Sequence, residues 1–162
     1  MKELLAAKAG PDTRSDNGQT PLHSATSENQ VAVVKALLSA GADIAAKDQD
    51  GRTALHTAAS AGSDESALAL LQGGANVDAL DGDQDTPLHL AARNGHNQMI
   101  KHLLAHGANI DQENAKKYTP LERAILRDNV STARLLLQCN ANPNTCDEDG
   151  DTPLFVAMAY NC

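Results

Sequence analysis

Aromatic side chains are almost missing from this chain. Trp is absent, and two Tyr with one Phe bring the aromatic share to 2%. Val and Ile are also too few to build an extensive β-sheet, whose surfaces favour β-branched and aromatic residues. No apolar run of roughly 18 residues occurs, so no membrane span is predicted and direct membrane insertion is excluded as a mode of action. The opening MKELLAAKAG lacks the apolar stretch of a secretory signal. Cysteine is scarce: Cys139, Cys146 and Cys162 include no CxxC pair. An odd, late group of thiols does not make a disulfide framework, so reduced cysteines in the cytoplasm or nucleus are expected. Basic residues are outnumbered, 13 Lys and Arg against 21 Asp and Glu, for a net charge of −8. Such a chain repels phosphate backbones at long range, which argues against nucleic acid and for protein partners carrying basic patches.

What the chain does have is Ala and Leu, in strict order. Apolar residues reach 41% of its 162 residues, a mixture suited to thin, closely spaced helices. Thr stands at 20, 53, 86, 119 and 152, a constant step of 33 residues. Leu22, Leu55, Leu88, Leu121 and Leu154 keep that step, as do Ala25, Ala58, Ala91, Ala124 and Ala157. Leu pairs recur at 37–38, 70–71, 103–104 and 136–137. Gly41, Gly74 and Gly107 follow the first three pairs and Asn140 the fourth, each with Ala next. Self-similarity of this kind is the mark of a repeat architecture.

Each unit carries its own punctuation. In TPLH, TALH and TPLE the Thr hydroxyl is placed to cap a new helix. Pro21, Pro87, Pro120 and Pro153 sit at the first helical position, where a missing N–H costs little. The residue three after Thr can reach back to close a capping box, and Thr119 with Glu122 supplies the full T-x-x-E signature. Gly62 and Gly95 break the chain before a second helix, which bears the Leu pair and ends at Gly or Asn in a left-handed cap. A polar stretch such as DQDGR or DEDGD then suits a tight hairpin turn. Gln84 and Lys117 replace the Gly found at 18, 51 and 150, so another turn type is expected at those two tips. Asp128 stands where Gly62 and Gly95 stand, which makes the fourth unit the most divergent.

These residues resemble the ankyrin repeat, a helix–turn–helix unit of 33 residues. The resemblance runs from residue 20 to 152 without a gap, and TPLHLAARNGHNQMIKHLLAHGANID is its closest stretch. It implies an all-α solenoid of stacked helix pairs with protruding β-hairpin loops. The expected divisions are 1–19 (a half-repeat and first hairpin), 20–52, 53–85, 86–118, 119–151 and a partial repeat over 152–162. Phe155, Val156 and Met158 give the last segment an apolar character unlike a capping repeat. A longer array, or a partner covering that end, is therefore expected.

Catalytic and metal chemistry find little support. His23, His56 and His89 occupy the TPLH position, where tying the helix start is the simpler role, and His96 in its GH turn reads the same way. His102 and His106 have helical ligand spacing, but no third ligand type accompanies them. Cys139 and Cys146 lack a partner pair, and Cys139 reads as a small buried residue. Asp81, Asp83 and Asp85 alternate as in a calcium loop, yet no Glu closes the pattern. No phosphate-binding loop, nucleophile elbow or dinucleotide fingerprint is present. No enzyme activity and no cofactor are expected.

The resemblance implies that partners dock on the concave side, formed by hairpin tips and the outer face of each first helix. Carried onto this chain, that surface comprises Arg52, Asp83, Asp85, Leu90, Arg93, Lys116, Tyr118, Arg123, Arg127 and Asp149. Interface energy concentrates on Tyr and Arg near a patch centre. Tyr118, Arg93, Arg123 and Arg127 are thus the expected centre, with Asp83, Asp85 and Asp149 as rim. Replacing Tyr118 and Arg123 by Ala is expected to weaken binding at least about tenfold without unfolding the chain. The partner expected is a protein or peptide with a basic patch plus an acidic or apolar anchor. The resemblance also raises hydroxylation of Asn144, and a methyl-lysine cage for which only Tyr118, Phe155 and Tyr160 offer rings. Two roles stay open at this point: an adaptor or scaffold module, and a regulatory or targeting segment of a larger enzyme or channel.

Overall fold

The computed structural model describes residues 10–146 together with residues 150, 152, 153 and 155. Among the described residues there are eight α-helices and no strand. They come in pairs: α1 (Pro21–Ser27) with α2 (Val31–Ser39), α3 (Ala54–Ala61) with α4 (Asp64–Gln72), α5 (Pro87–Asn94) with α6 (Asn97–Ala105), and α7 (Pro120–Ile125) with α8 (Val130–Gln138). First helices stack on first helices (α1, α3, α5, α7), and second helices on second helices (α2, α4, α6, α8). The expected all-α solenoid is therefore the fold. Residues 1–9, most of the first half of the expected N-terminal half-repeat, lie outside the described residues, as do Val156, Met158 and Tyr160; Phe155 is exposed.

The periodic Leu and Ala residues form the core. Leu22, Leu55, Leu88 and Leu121 are 0–1% exposed, and Ala58, Ala91 and Ala124 are fully buried. One continuous cluster joins them to Leu70, Met99, Ile100, Leu103 and Leu136 from the second helices. No unit could bury these side chains alone; the stack does so by pairing each apolar face with the next. Small Ala residues at the helix contacts let the backbones approach closely, which is why so few aromatics are needed.

The helix ends follow their predicted chemistry. Capping boxes close on Thr20, Thr53, Thr86 and Thr119. Each second helix ends in a Schellman arrangement, the N–H of Ala42, Ala75, Ala108 or Ala141 donating to the carbonyl of Leu37, Leu70, Leu103 or Leu136 at 3.0–3.1 Å. Asn140 takes the left-handed cap (φ 66°) that Gly41, Gly74 and Gly107 take elsewhere.

The hairpin tips correct one expectation. Gln84 and Lys117 do not change the turn: both adopt φ 60°, beside 75° for Gly51. The same pair of bonds closes every described tip. Gly51 N–H donates to Asp48 O at 3.1 Å, Gln84 N–H to Asp81 O at 3.1 Å and Lys117 N–H to Asn114 O at 2.9 Å. Asp48, Asp81 and Asn114 in turn donate to the carbonyls of Arg52, Asp85 and Tyr118 at 2.9–3.0 Å. The side-chain oxygens of Asp48, Asp81 and Asn114 accept two further backbone N–H groups each, at 2.9–3.0 Å. These Asx bonds hold the loop shape, so the stack sets the turn even where a side chain makes the left-handed conformation unfavourable by ~1 kcal/mol. Asp128 likewise adopts φ 56° in place of Gly62 and Gly95 (φ 72° and 75°), so the fourth unit keeps the left-handed turn although its first helix is shorter, six residues against eight.

Candidate protein-binding surface

Three histidines tie each first helix to the hairpin that closes its unit. Nδ1 of His23, His56 and His89 accepts the backbone N–H of Thr20, Thr53 and Thr86 at 3.1–3.2 Å. The ring proton therefore sits on Nε2, which donates to the carbonyls of Arg52, Asp85 and Tyr118 at 2.9–3.0 Å. Each ring joins a helix start to the hairpin 29 residues on, which leads into the next first helix, the structural role expected for it. Burial holds His56 and His89 below the ordinary imidazole value, against the raising influence of the Asp85 carbonyl on His56 and the Asp85 carboxylate on His89. In the fourth unit Glu122 takes the same place, its Oε2 accepting from Thr119 N–H at 2.6 Å. His96 works differently: Nε2 donates back to Ser60 O at 3.1 Å, and a Cβ on Gly62 would come within 2.9 Å of its ring.

The hairpin tips are also bonded to one another. Gln49 N–H donates to Asn17 O at 3.2 Å, Gly82 N–H to Asp50 O at 2.8 Å and Ala115 N–H to Asp83 O at 3.1 Å. Tips and first helices thus form one continuous face. A cleft of about 180 Å³ lies on it, lined by Gln19, Asp48, Arg52, Thr57, Ser60 and Ala61.

Most of the expected partner-binding residues are accessible on this face. Asp83, Lys116 and Arg127 are exposed, and Arg52, Arg93, Tyr118 and Arg123 are half-buried. Asp149 lies outside the described residues. Two expectations of exposure are corrected. Leu90 is only 2% exposed, because α5 is packed between α3 and α7 and its Leu joins the common core. Asp85 is 1% exposed. Its Oδ2 accepts from Arg123 Nη2 at 2.7 Å and its Oδ1 from Asn114 Nδ2 at 2.6 Å. Asp85 is a buried anchor beneath the surface, not part of a rim. Arg123 therefore covers a buried carboxylate as well as reaching the surface.

Sequence reasoning missed Asn114, whose side chain shapes the fourth tip and bonds Asp85. Its place in step with Asp48 and Asp81 was the available signal. Cys139 is exposed and not buried, because it caps the end of α8 outside the stack. His102 is half-buried and His106 exposed, with His106 Nδ1 donating to the His102 carbonyl at 2.8 Å. Among the described residues, no three His, Cys, Asp or Glu side chains come together as a metal site, and no helix is long and apolar enough to cross a membrane.

A family model described as ankyrin repeats (3 copies) matches residues 1–81 and again 70–147. The chain belongs to the ankyrin-repeat family. Ankyrin repeats are in general protein–protein interaction modules and are typically non-catalytic. No curated protein matches the chain.

The electrostatics of this ankyrin surface are uneven. Partial burial, then the neighbouring Arg123 and Arg127, hold the Arg93 guanidinium below its usual value, with Asp85 opposing and Arg52 adding to the effect. Four guanidinium groups therefore gather on one face of a chain whose net charge is −8. Arg52 is paired with Asp50 at 3.4 Å and Asp81 at 3.7 Å, and Arg123 with Asp85. Among the described residues Arg93 and Arg127 have no carboxylate partner.

Proposed function

We propose that this chain is a protein-binding module of adaptor or scaffold type, gripping a protein or peptide along the face made by its hairpin tips and first helices. The observation that supports this reading is the gathering of Arg93, Arg123 and Arg127 on the third and fourth units, with half-buried Tyr118 in the hairpin that leads into the fourth. Arg and Tyr dominate binding energy when they stand near a patch centre on a rigid support. The support here is rigid because backbone bonds link each tip to the next. Arg52, Asp83 and Lys116 extend the surface; Asp85 and Leu90 act from below by holding it in shape. The reading does not call for catalysis or a cofactor, and cytoplasm or nucleus suits exposed, unpaired thiols at Cys139 and Cys146.

The test is capture of proteins from cell extract on immobilised chain, with two double variants compared to wild type. Arg93→Ala/Arg127→Ala alters the proposed face, whereas Lys101→Ala/Arg134→Ala alters exposed positions on the second helices. Bound protein should be lost with the first variant and kept with the second. Equal capture by all three would place the binding elsewhere.

A further inference from the structure

From the arrangement of arginines we infer that the third and fourth units hold an acidic peptide segment, whose spaced carboxylates seat on Arg93 and Arg127. This rests on the binding face proposed above and names the chemistry of its occupant.

Several observations converge on it. Arg93 and Arg127 are 34 positions apart, one repeat step plus one, so they come from successive units and stand in sequence along the face. Neither has a carboxylate partner among the described residues. Arg93 lies within the field of Arg52, Arg123 and Arg127, and like charges held together in this way are unfavourable until an anion joins them. The cluster already contains one example of the proposed contact, the Asp85 carboxylate on Arg123 at 2.7 Å. That carboxylate is buried and bonds Arg123 while partly offsetting the charge around Arg93, and Arg52 is paired with Asp50 and Asp81, so Arg93 and Arg127 are the two left without a bonded carboxylate among the described residues. A planar fork of N–H donors suits a carboxylate well.

The surroundings restrict the occupant further. Exposed Asp50 and Asp83 stand at the neighbouring tips, where they repel a compact, doubly charged phosphate more than a row of single charges. Guanidinium groups supplied by successive units call for anions distributed along a chain, as Asp and Glu are in an extended peptide. The tips would at the same time admit a basic residue flanking the acidic stretch.

Binding of a labelled peptide rich in Glu and Asp, read by fluorescence anisotropy with the whole chain, tests this directly. Two further probes accompany it: a peptide of the same length with Lys replacing the acidic residues, and a phosphoserine peptide of matched charge. The acidic peptide should bind at least about tenfold more tightly than the Lys peptide, with affinity falling as salt rises. Arg93→Ala and Arg127→Ala should each weaken it severalfold, while Lys101→Ala/Arg134→Ala leaves it unchanged and all variants keep the wild-type helical circular dichroism. Preference for the phosphoserine peptide would overturn the assignment to carboxylates, and equal binding of acidic and Lys peptides would overturn it altogether. If extract proteins are still lost with Arg93→Ala/Arg127→Ala while the acidic peptide fails, the binding face stands and only its proposed occupant is wrong.

Discussion

Arg123 Nη2 donates to Asp85 Oδ2 at 2.7 Å, joining α7 to the hairpin tip that precedes α5. The Asp85 side chain is almost wholly enclosed, at 2% exposure, while the Arg123 side chain keeps 19%. Two positions that look like equal members of a surface patch therefore have unequal jobs: one charge sits inside the molecule and the other covers it.

Removing the cover leaves a buried charge. Arg123→Ala should destabilise the chain by about 2–4 kcal/mol, near the lower part of the range for a broken buried pair because Arg123 retains some solvent. Asn114→Ala should act in the same direction, since it strips the other carboxylate oxygen. The double variant Asp85→Ala/Arg123→Ala should cost less than the sum of its single changes. Urea denaturation of wild type, Asp85→Ala, Arg123→Ala, the double variant and Asn114→Ala measures this. Strict additivity would mean that the pair contributes nothing as a pair.

Acid should loosen the stack through its histidines. His56 and His89 are held below the ordinary value of 6.5 by burial, so the unfolded chain binds protons that the folded chain refuses. Stability is then complete above about pH 6.5 and declines as pH falls below it. Protonation would put a second N–H on a ring whose Nδ1 accepts a hydrogen bond from Thr53 or Thr86. Denaturation midpoints between pH 7.5 and 5.5 should fall, with a shallower slope in His56→Gln/His89→Gln. An unchanged slope in that variant would assign the pH effect to other groups.

One position in the stack lacks a bond that its counterparts make. Asp12, Asp78 and Asp111 accept the backbone N–H of Asp43, Asn109 and Asn142 at 2.8–3.0 Å, each reaching 31 residues ahead. Ala45 occupies the corresponding place before Asn76 and has no acceptor to offer; a cleft of about 200 Å³ lies there, lined by both. Ala45→Asp should add that link and stabilise the chain by ~0.5–1 kcal/mol. A rise in thermal midpoint, and slowed hydrogen exchange at Asn76, would both report it. No change in either would show that solvent already serves that N–H as well.

The period of 33 residues made the helix pairs, the caps and the core legible, since Thr, Leu, Ala and Gly each have a strong local reason for their places. Asn140 was readable for the same reason. Gln84 and Lys117 were not, because the bonds that force φ 60° on them come from Asp81, Asn114 and the stacked neighbours. Exposure at the candidate surface was legible only in part. Position 90 follows the same register as Ser24 and Thr57, yet a Leu there sinks between adjoining helices, whereas Arg123 one unit later reaches solvent. Register determines which face a residue occupies; how deep it lies depends on the neighbours' side chains, which no single unit contains.

The hydrogen bonds that cross between units run at steps such as 31, 33 and 34 residues. Each thus fastens a unit to its immediate neighbour and to nothing farther away. A molecule linked in this manner behaves mechanically like a spring of coils. Tension applied to its two ends would peel it in successive small yields, and on release the remaining coils would offer a ready edge for the loosened ones to rewind against.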